Sequence, residues 1–378
     1  MKRNSYFDQV LMLIFLVMGG VAYATTLTHT VCESGCDFTN QEGAAAHLAA
    51  THSNLISADV NAVVSIVNSW SAPDTTAVSY AGIATDATHT LTVQTVGAAR
   101  HDGTISKSGA YRLETTTGEY SPNTSITVNG ISYITIDGLV IKTNGAKGDS
   151  TFHGIFSDLS NATIKNTIMY TTTTDRYAVG GDGILCITSG TAVTCSVYNN
   201  IAFGWKTASG TKANGIRVSP GEYRNIAGNV YNNTAYGSDV GIKTDAGSSG
   251  GVATYIVKNN LSIGDTTADY SLAGDSLTTS NNGSSDTTGN VGLQSLTAAN
   301  LFTSIAGGSE NFHLKAGAAA IDVGTDLSAV FTTDIDGDTR PQGLVFDVGA
   351  DEYSSGGGAT TGHYCFENAR INNFKVYK

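Results

Sequence analysis

The feature that most restricts this chain is a short phrase that recurs at nearly constant spacing. "ITIDGLVIK", "ATIKNTIMY", "CSVYNNIAF", "GNVYNNTAY" and "YIVKNNLSI" superimpose without gaps. Their central residues are Gly138, Asn166, Asn199, Asn232 and Asn259, separated by 28, 33, 33 and 27 positions. Apolar residues alternate with period two on either side of the centre, which is strand behaviour. A second set of short strands, "HGIFSD", "DGILCI", "NGIRVS" and "VGIKTD", precedes most copies and carries glycine at 154, 183, 215 and 241. Two or three short strands per repeat, with turns of unequal length, describe successive coils of a solenoid. A propeller blade needs four longer strands, and a sandwich has no use for asparagine at one phase in every copy. The expected fold is therefore all-β: a right-handed parallel β-helix with an N-terminal helical or irregular cap.

The first asparagine of each copy shares parity with its apolar neighbours, so the pattern places Asn166, Asn199, Asn232 and Asn259 inside the coil or at an inward-facing turn. A lone buried amide is costly, but amides stacked about 4.8 Å apart in successive coils satisfy one another. Asparagine also tolerates the left-handed backbone of a tight turn. These four residues are read as a structural ladder, begun by Gly138. The same phase makes Tyr170, Phe203, Tyr236 and Ile263 a stacked core column and turns the second asparagine to the opposite side.

The flanks divide the chain into four parts. Residues 1–24 read as a signal peptide: Lys2 and Arg3 precede an apolar run from Val10 to Val21, and Ala22-Tyr23-Ala24 supplies the small residues of a cleavage point. That run is too short for a membrane span, and no later stretch approaches one. Residues 25–75 form the cap region, where "NQEGAAAHLAATHS" and "ADVNAVVSIVNSW" are the helical candidates. The β-helix follows over 76–353, and 354–378 is a Gly/Ser linker with a short appendage. Export permits disulfides; Cys32 with Cys36 and Cys186 with Cys195 are the local pairs, leaving Cys365. With 32 acidic against 20 basic residues and a net charge of −12, general nucleic-acid binding is disfavoured. The partners to consider are an extracellular polysaccharide or further copies of the chain.

Towards the C-terminus, "NFHLKAGAAAIDVGTD" and "DIDGDTRPQGLVFDVGADEY" resemble the terminal signature of secreted bacterial right-handed parallel β-helix proteins of the pectate-lyase-like superfamily. The stretch is most similar to members with a choice-of-anchor C-terminal domain, and "VSYAGIATDATHTLTVQTVGAARHDGTISKSGAYRLE" is similar to their early coils. The likeness runs from about Phe38 to Tyr353. It implies export and a β-helix, but the superfamily mixes lyases, hydrolases, adhesins and binding proteins. It also implies that "DIDGDTR" belongs to the closing coil, with Arg340 pairing to Asp347 and turns at Gly337 and Gly349. Calcium at Asp334, Asp336 and Asp338 is the rival, but the stretch lacks the rest of an EF-hand loop.

The lyases of this superfamily neutralise a uronate and remove its C5 proton with basic residues, often beside calcium. Carried to this sequence, that role falls on Arg217 and Lys243, aligned on neighbouring coils, with His153 one side of them and Asp182 and Asp239 as calcium ligands. A hydrolase would need paired carboxylates from Asp182, Asp239 and Glu222. No cofactor other than that calcium is implied. On balance the sequence favours a noncatalytic secreted or cell-surface protein, structural, adhesive or glycan-binding, over an acidic-polysaccharide lyase, with a glycoside hydrolase third.

Overall fold

The computed structural model describes residues 24–117, 123–145, 152–172, 180–207 and 213–354. The leader other than Ala24, and the linker and tail beyond Ser354 with Cys365, lie outside the described residues. The rest is a right-handed parallel β-helix. Among the described residues seven coils contribute one strand to each of three parallel sheets, as Asp182–Thr188, Val193–Tyr198 and Ile201–Phe203 do in one turn, and Thr25–Val31 and Val60–Ile66 extend one sheet at the N-terminal end. Sheet I has nine strands, and sheets II and III have seven each among the described residues. Ile164 pairs with Ile136 and Val197, and Val230 pairs with Val197 and Val257, so the repeat seen in the sequence is the coil register. All five side chains are fully buried in the lumen.

The corner between sheets I and II explains the repeated phrase and corrects its side-chain assignment. Asn166, Asn199, Asn232 and Asn259 adopt the left-handed conformation, with φ of 50°, 53°, 47° and 57°, and Gly138 takes the same place at 83°. One left-handed residue breaks the strand's alternation and shifts its parity by one. The first asparagine therefore turns away from the lumen, and the second turns in. Asn200, Asn233, Asn260 and Asn282 form the interior ladder. Asn233 shows the bookkeeping: its Oδ1 accepts from the backbone N–H and Nδ2 of Asn200, both at 3.0 Å. Its Nδ2 donates to Asn260 Oδ1 at 3.0 Å and to the Val197 carbonyl at 2.9 Å. All four hydrogen-bonding positions of the amide are used. A further copy, Asn281-Asn282, extends the spine by one coil, with Asn281 at φ 54°.

The parity shift also moves the aromatic column. Met169, Ala202 and Ala235 face the lumen, whereas Ile168, Tyr170, Ile201, Phe203, Leu261 and Ile263 belong to a second core on the outer side of sheet II. That core is closed by residues 293–353, which do not form another coil. They turn back as an antiparallel pair, Phe302–Ser304 with Asn311–Leu314, and then run irregularly over the asparagine spine. Asn199 Nδ2 donates to the Thr333 carbonyl (2.7 Å), Asn232 Nδ2 to those of Asp347 (2.8 Å) and Gly349 (3.0 Å), and Asn259 Nδ2 to that of Thr325 (2.8 Å). The "DIDGDTR" segment is thus a clamp along the outside, not the closing coil. Gly349 must be glycine there: its φ is 106°, and a Cβ would sit 2.7 Å from Leu261.

In sheet III the aligned glycines have a steric cause. A Cβ on Gly154 or Gly183 would lie 2.5 Å from the carbonyl oxygen of the glycine in the next coil, so the backbones stack where no side chain fits. At the N-terminal end, helix α1 (Gln41–Thr51) and the short α2 (Leu55–Ala58) cover the first coil. Asn40 caps α1 by accepting from the Gly43 N–H. Helix α1 buries Gln41, whose amide bonds the Tyr80 and Tyr111 hydroxyls over the open lumen. The other helical candidate is instead a strand, Val60–Ile66, second in sheet I. Its β-branched residues place Ala62, Val64 and Ile66 inside with period two. Both local disulfides, Cys32–Cys36 and Cys186–Cys195, are present.

The two asparagines of one corner should differ in energetic weight. Asn233→Ala strands two donors and two acceptors in the interior and should cost at least about 3 kcal/mol. Asn232→Gly keeps the left-handed turn and loses the two clamp bonds and the bond its Oδ1 accepts from Asn259 Nδ2, whose other bond to Thr325 remains, at about 1–2 kcal/mol. Denaturant unfolding of the two variants checks this ordering.

Candidate functional site

Sheet III carries the basic pair expected from the sequence. Arg217 and Lys243 are direct neighbours on adjacent strands, each about one-third exposed. Two like charges so placed repel, and the structure resolves this through Asp245, which no pattern in the sequence singled out. Asp245 Oδ2 accepts from Arg217 Nε and Nη2, both at 2.8 Å, and Lys243 Nζ lies 3.5 Å from Oδ1. Burial pushes the Asp245 carboxyl up, but the charge and hydrogen bond of Arg217, helped by Lys243, outweigh it and hold the group ionised.

His153 lies elsewhere on the sheet. It is in register with Asp182 and Asn214, three residues before Arg217 along the strand and two coils away. That is roughly 10 Å in each direction. The Asp182 N–H donates to His153 Nδ1 at 3.2 Å. The Asp182 carboxylate sits 3.3 Å from the same nitrogen and accepts from Asn214 Nδ2 at 2.5 Å. Asp239 is fully buried, and its Oδ2 accepts from Thr207 N–H, Thr207 Oγ1 and Ala213 N–H. It fixes the entry to sheet III two coils from Asp182. The structure thus brings Arg217 and Lys243 together, joins His153 to Asp182, and places Asp239 apart from both.

A groove unassigned from the sequence lies where sheet II meets the C-terminal hairpin, with a cavity of about 420 Å³. Tyr170 and Phe203 stack face to face, with centroids 5.1 Å apart and planes 7° from parallel. Phe312 from the hairpin packs on Phe203 and on Tyr236, at 5.2 and 5.4 Å. Lys206 and Glu310 stand at the rim. Burial raises the Tyr236 phenol and takes that of Tyr170 to about 12, so both stay neutral donors. Each of the short strands here ends in a left-handed glycine, Gly204, Gly237 or Gly264, which keeps the groove floor open. The signal was in the sequence: glycine follows Asn-Asn at the same distance in "YNNIAFG", "YNNTAYG" and "KNNLSIG".

The clamp holds a dense ionisable cluster. Arg340 and Glu352 pair at 2.9 Å with both side chains fully buried, so Arg340's ionic partner is Glu352 and not Asp347. Asp347 meets Arg340 only through its carbonyl, at 3.2 Å, while its carboxylate accepts from the Asp322 and Tyr353 N–H groups. Asp334 accepts from the N–H groups of Asp336, Gly337, Asp338 and Glu352, so its oxygens are already engaged by donors. Burial, then the neighbouring Asp336, pushes its carboxyl well up, which does not suit a cation's ligand. Asp336 instead bonds His313 Nε2 at 3.1 Å, with Asp351 3.9 Å from the same nitrogen. Burial alone would depress His313; the Asp336 bond and the charges of Asp351, Asp336 and Asp334 override it and take the pKa to about 9. Burial lifts Asp351 to about 6.

No family model matches the chain, and no curated protein or solved structure matches it. The architecture agrees with the broad pectate-lyase-like superfamily at the level of the parallel β-helix. Among the described residues no helix is long and apolar enough to cross a membrane.

The clamp's raised pKa values fix the sign of a pH effect. His313 holds its proton more tightly folded than unfolded, where its pKa is near 6.5. Its contribution is complete below that value and is lost as pH rises through about 9. Asp351, raised as well, loses its contribution between about 4 and 6. Melting temperature should therefore fall from pH 6.5 to 9.5, and His313→Gln should flatten that fall in a calorimetric series.

Proposed function

We propose that this chain is an exported, noncatalytic β-helix protein that holds a glycan strand in the groove between sheet II and the C-terminal hairpin. The aromatic floor of Tyr170, Phe203 and Tyr236 is the observation that carries the reading. Tyr170 and Phe203 are buried against each other, so the half-buried Tyr236 is the ring a sugar would pack on, with Lys206 and Glu310 supplying hydrogen bonds beside it. Coils repeat every 4.8 Å or so, close to the length of one sugar unit, which suits a repetitive polymer. The rim carries one positive and one negative side chain, and the whole chain carries −12. Both features favour a neutral glycan over a polyuronate.

Export belongs to the proposal and is supported by the opening segment and by two disulfides, which need an oxidising compartment to persist. Kinship with choice-of-anchor proteins is likewise proposed, on the "DIDGDTRPQGLVFDVGADEY" stretch. The noncatalytic reading rests on sheet III, where Arg217 and Lys243 share Asp245 and His153 stands well apart.

Affinity electrophoresis against neutral and acidic polysaccharides tests the reading. Retardation by a neutral polymer is expected, weakened about tenfold in Tyr236→Ala, with no unsaturated ends from any uronate polymer. Calcium-dependent formation of such ends, abolished in Arg217→Ala or Lys243→Ala, would replace it with a lyase.

A further inference from the structure

The groove and the basic pair leave one constellation of side chains without a role, at the opposite end of the solenoid. His29 projects from the first strand of sheet I, Thr25–Val31, while His47 lies in α1 and His52 caps its C-terminus. One strand and one helix with its C-cap thus deliver three imidazoles to one spot. Ring centroids are 5.0 Å apart for His29 and His47, 6.2 Å for His29 and His52, and 6.3 Å for His47 and His52. One ring nitrogen from each lies within 4.8 Å of those of the other two. We propose that His29, His47 and His52 form a binding site for a borderline divalent transition ion of the zinc class, tying the cap helix to the edge strand of the β-helix.

Several features of the surroundings support the assignment. His29 Nε2 is buried and lacks a hydrogen-bond partner, the kind of orphaned polar atom that costs free energy unless a ligand satisfies it. The His52 tautomer is fixed for ligation. Thr51 Oγ1 donates its own proton to the His47 carbonyl at 2.7 Å, so at 2.8 Å it can only accept from His52 Nδ1–H. That leaves the lone pair of His52 on Nε2, and it is the outer-shell arrangement that orients a ligating histidine. Phe38 packs against His29 and His47 at 5.6 and 5.2 Å and forms an apolar wall on one side.

The donor set decides the class of ion. Three imidazoles and no crowd of carboxylates suit zinc, nickel or copper, and do not suit calcium or magnesium, which take oxygen ligands. Nitrogens around tetrahedral zinc lie roughly 3.3 Å apart, given bonds of about 2.0–2.1 Å. Closing from 4.8 Å or less shortens each separation by up to about 1.5 Å, within reach of side-chain rotation by His47 and His52. The fourth position would remain for water or an incoming group. Because the ion would bind only the folded cap, it would stabilise that end of the solenoid, adding to the hold of α1, of the Cys32–Cys36 bridge and of the Asp37 bonds to Thr30 on the first strand.

The test is zinc titration of the chelator-treated full chain, followed by a competing indicator dye, with cobalt as a spectroscopic stand-in. One equivalent of zinc should bind, raise the melting temperature, and give nitrogen-ligated tetrahedral cobalt bands. His47→Gln and His52→Gln should each weaken binding by about 100-fold or more, and Thr51→Val by about tenfold as an outer-shell change. His313→Gln, which alters the other histidine cluster, should leave the affinity unchanged. Absence of uptake, uptake retained in the triple His→Gln variant, or uptake lost with His313→Gln would each overturn the assignment.

Discussion

The left-handed residue at the corner between sheets I and II organises this molecule. An asparagine takes φ near +50° there, or Gly138 in one coil, and the chain's inside and outside exchange places. The residue that follows is carried into the lumen. As an asparagine it can use both lone pairs and both N–H bonds on neighbouring coils, as Asn233 does. A polar column in an apolar interior is tolerated only when complete. That requirement makes the coils interdependent and holds them in register.

The outward asparagines have a second consequence. They present a row of amide donors along one edge of the solenoid, and the C-terminal segment covers that row with carbonyls from Thr325, Thr333, Asp347 and Gly349. The exit strands, their apolar residues displaced outward by the parity change, gain a partner in Phe302, Phe312 and Leu314. The aromatic groove is the place where this cover ends. Spine, clamp and groove are therefore successive results of one backbone choice. The ionisable residues of the clamp, with Arg340–Glu352 at their centre, fix the path of a segment that has little regular structure of its own.

The coil register and the all-β architecture were legible because strand period and repeat spacing both survive in one sequence. Side-chain direction at the corner was not, since alternation counted through "VYNN" assumes an extended backbone that the left-handed asparagine interrupts. "ADVNAVVSIVNSW" misled for a related reason: short apolar runs fit both periods, and its β-branched residues and parallel partners decide for strand. Asp245 was overlooked because it stands one residue past the strand Val240–Thr244, outside the aligned phrases, although it lies two residues after Lys243 and shares its side. The clamp's position was hidden as well, for nothing local in "DIDGDTR" tells whether it closes a coil or lies across several. His29 lies 18 positions before His47 and meets it and His52 only because α1 packs beside the first strand.

The central claim is that the second asparagine of each corner, held by amides of the adjoining coils, locks the solenoid. Residue-resolved amide hydrogen exchange tests it most directly, because turn amides ordinarily exchange quickly while these donate to buried Asn Oδ1 atoms. The backbone N–H groups of Thr167, Asn200, Asn233 and Asn260 bond the Oδ1 of Asn200, Asn233, Asn260 and Asn282 at 3.0–3.1 Å. They should exchange only through global opening, as slowly as the lumen residues Val197 and Val230. Exchange at the rate of exposed turns, with the sheet strands still protected, would contradict it.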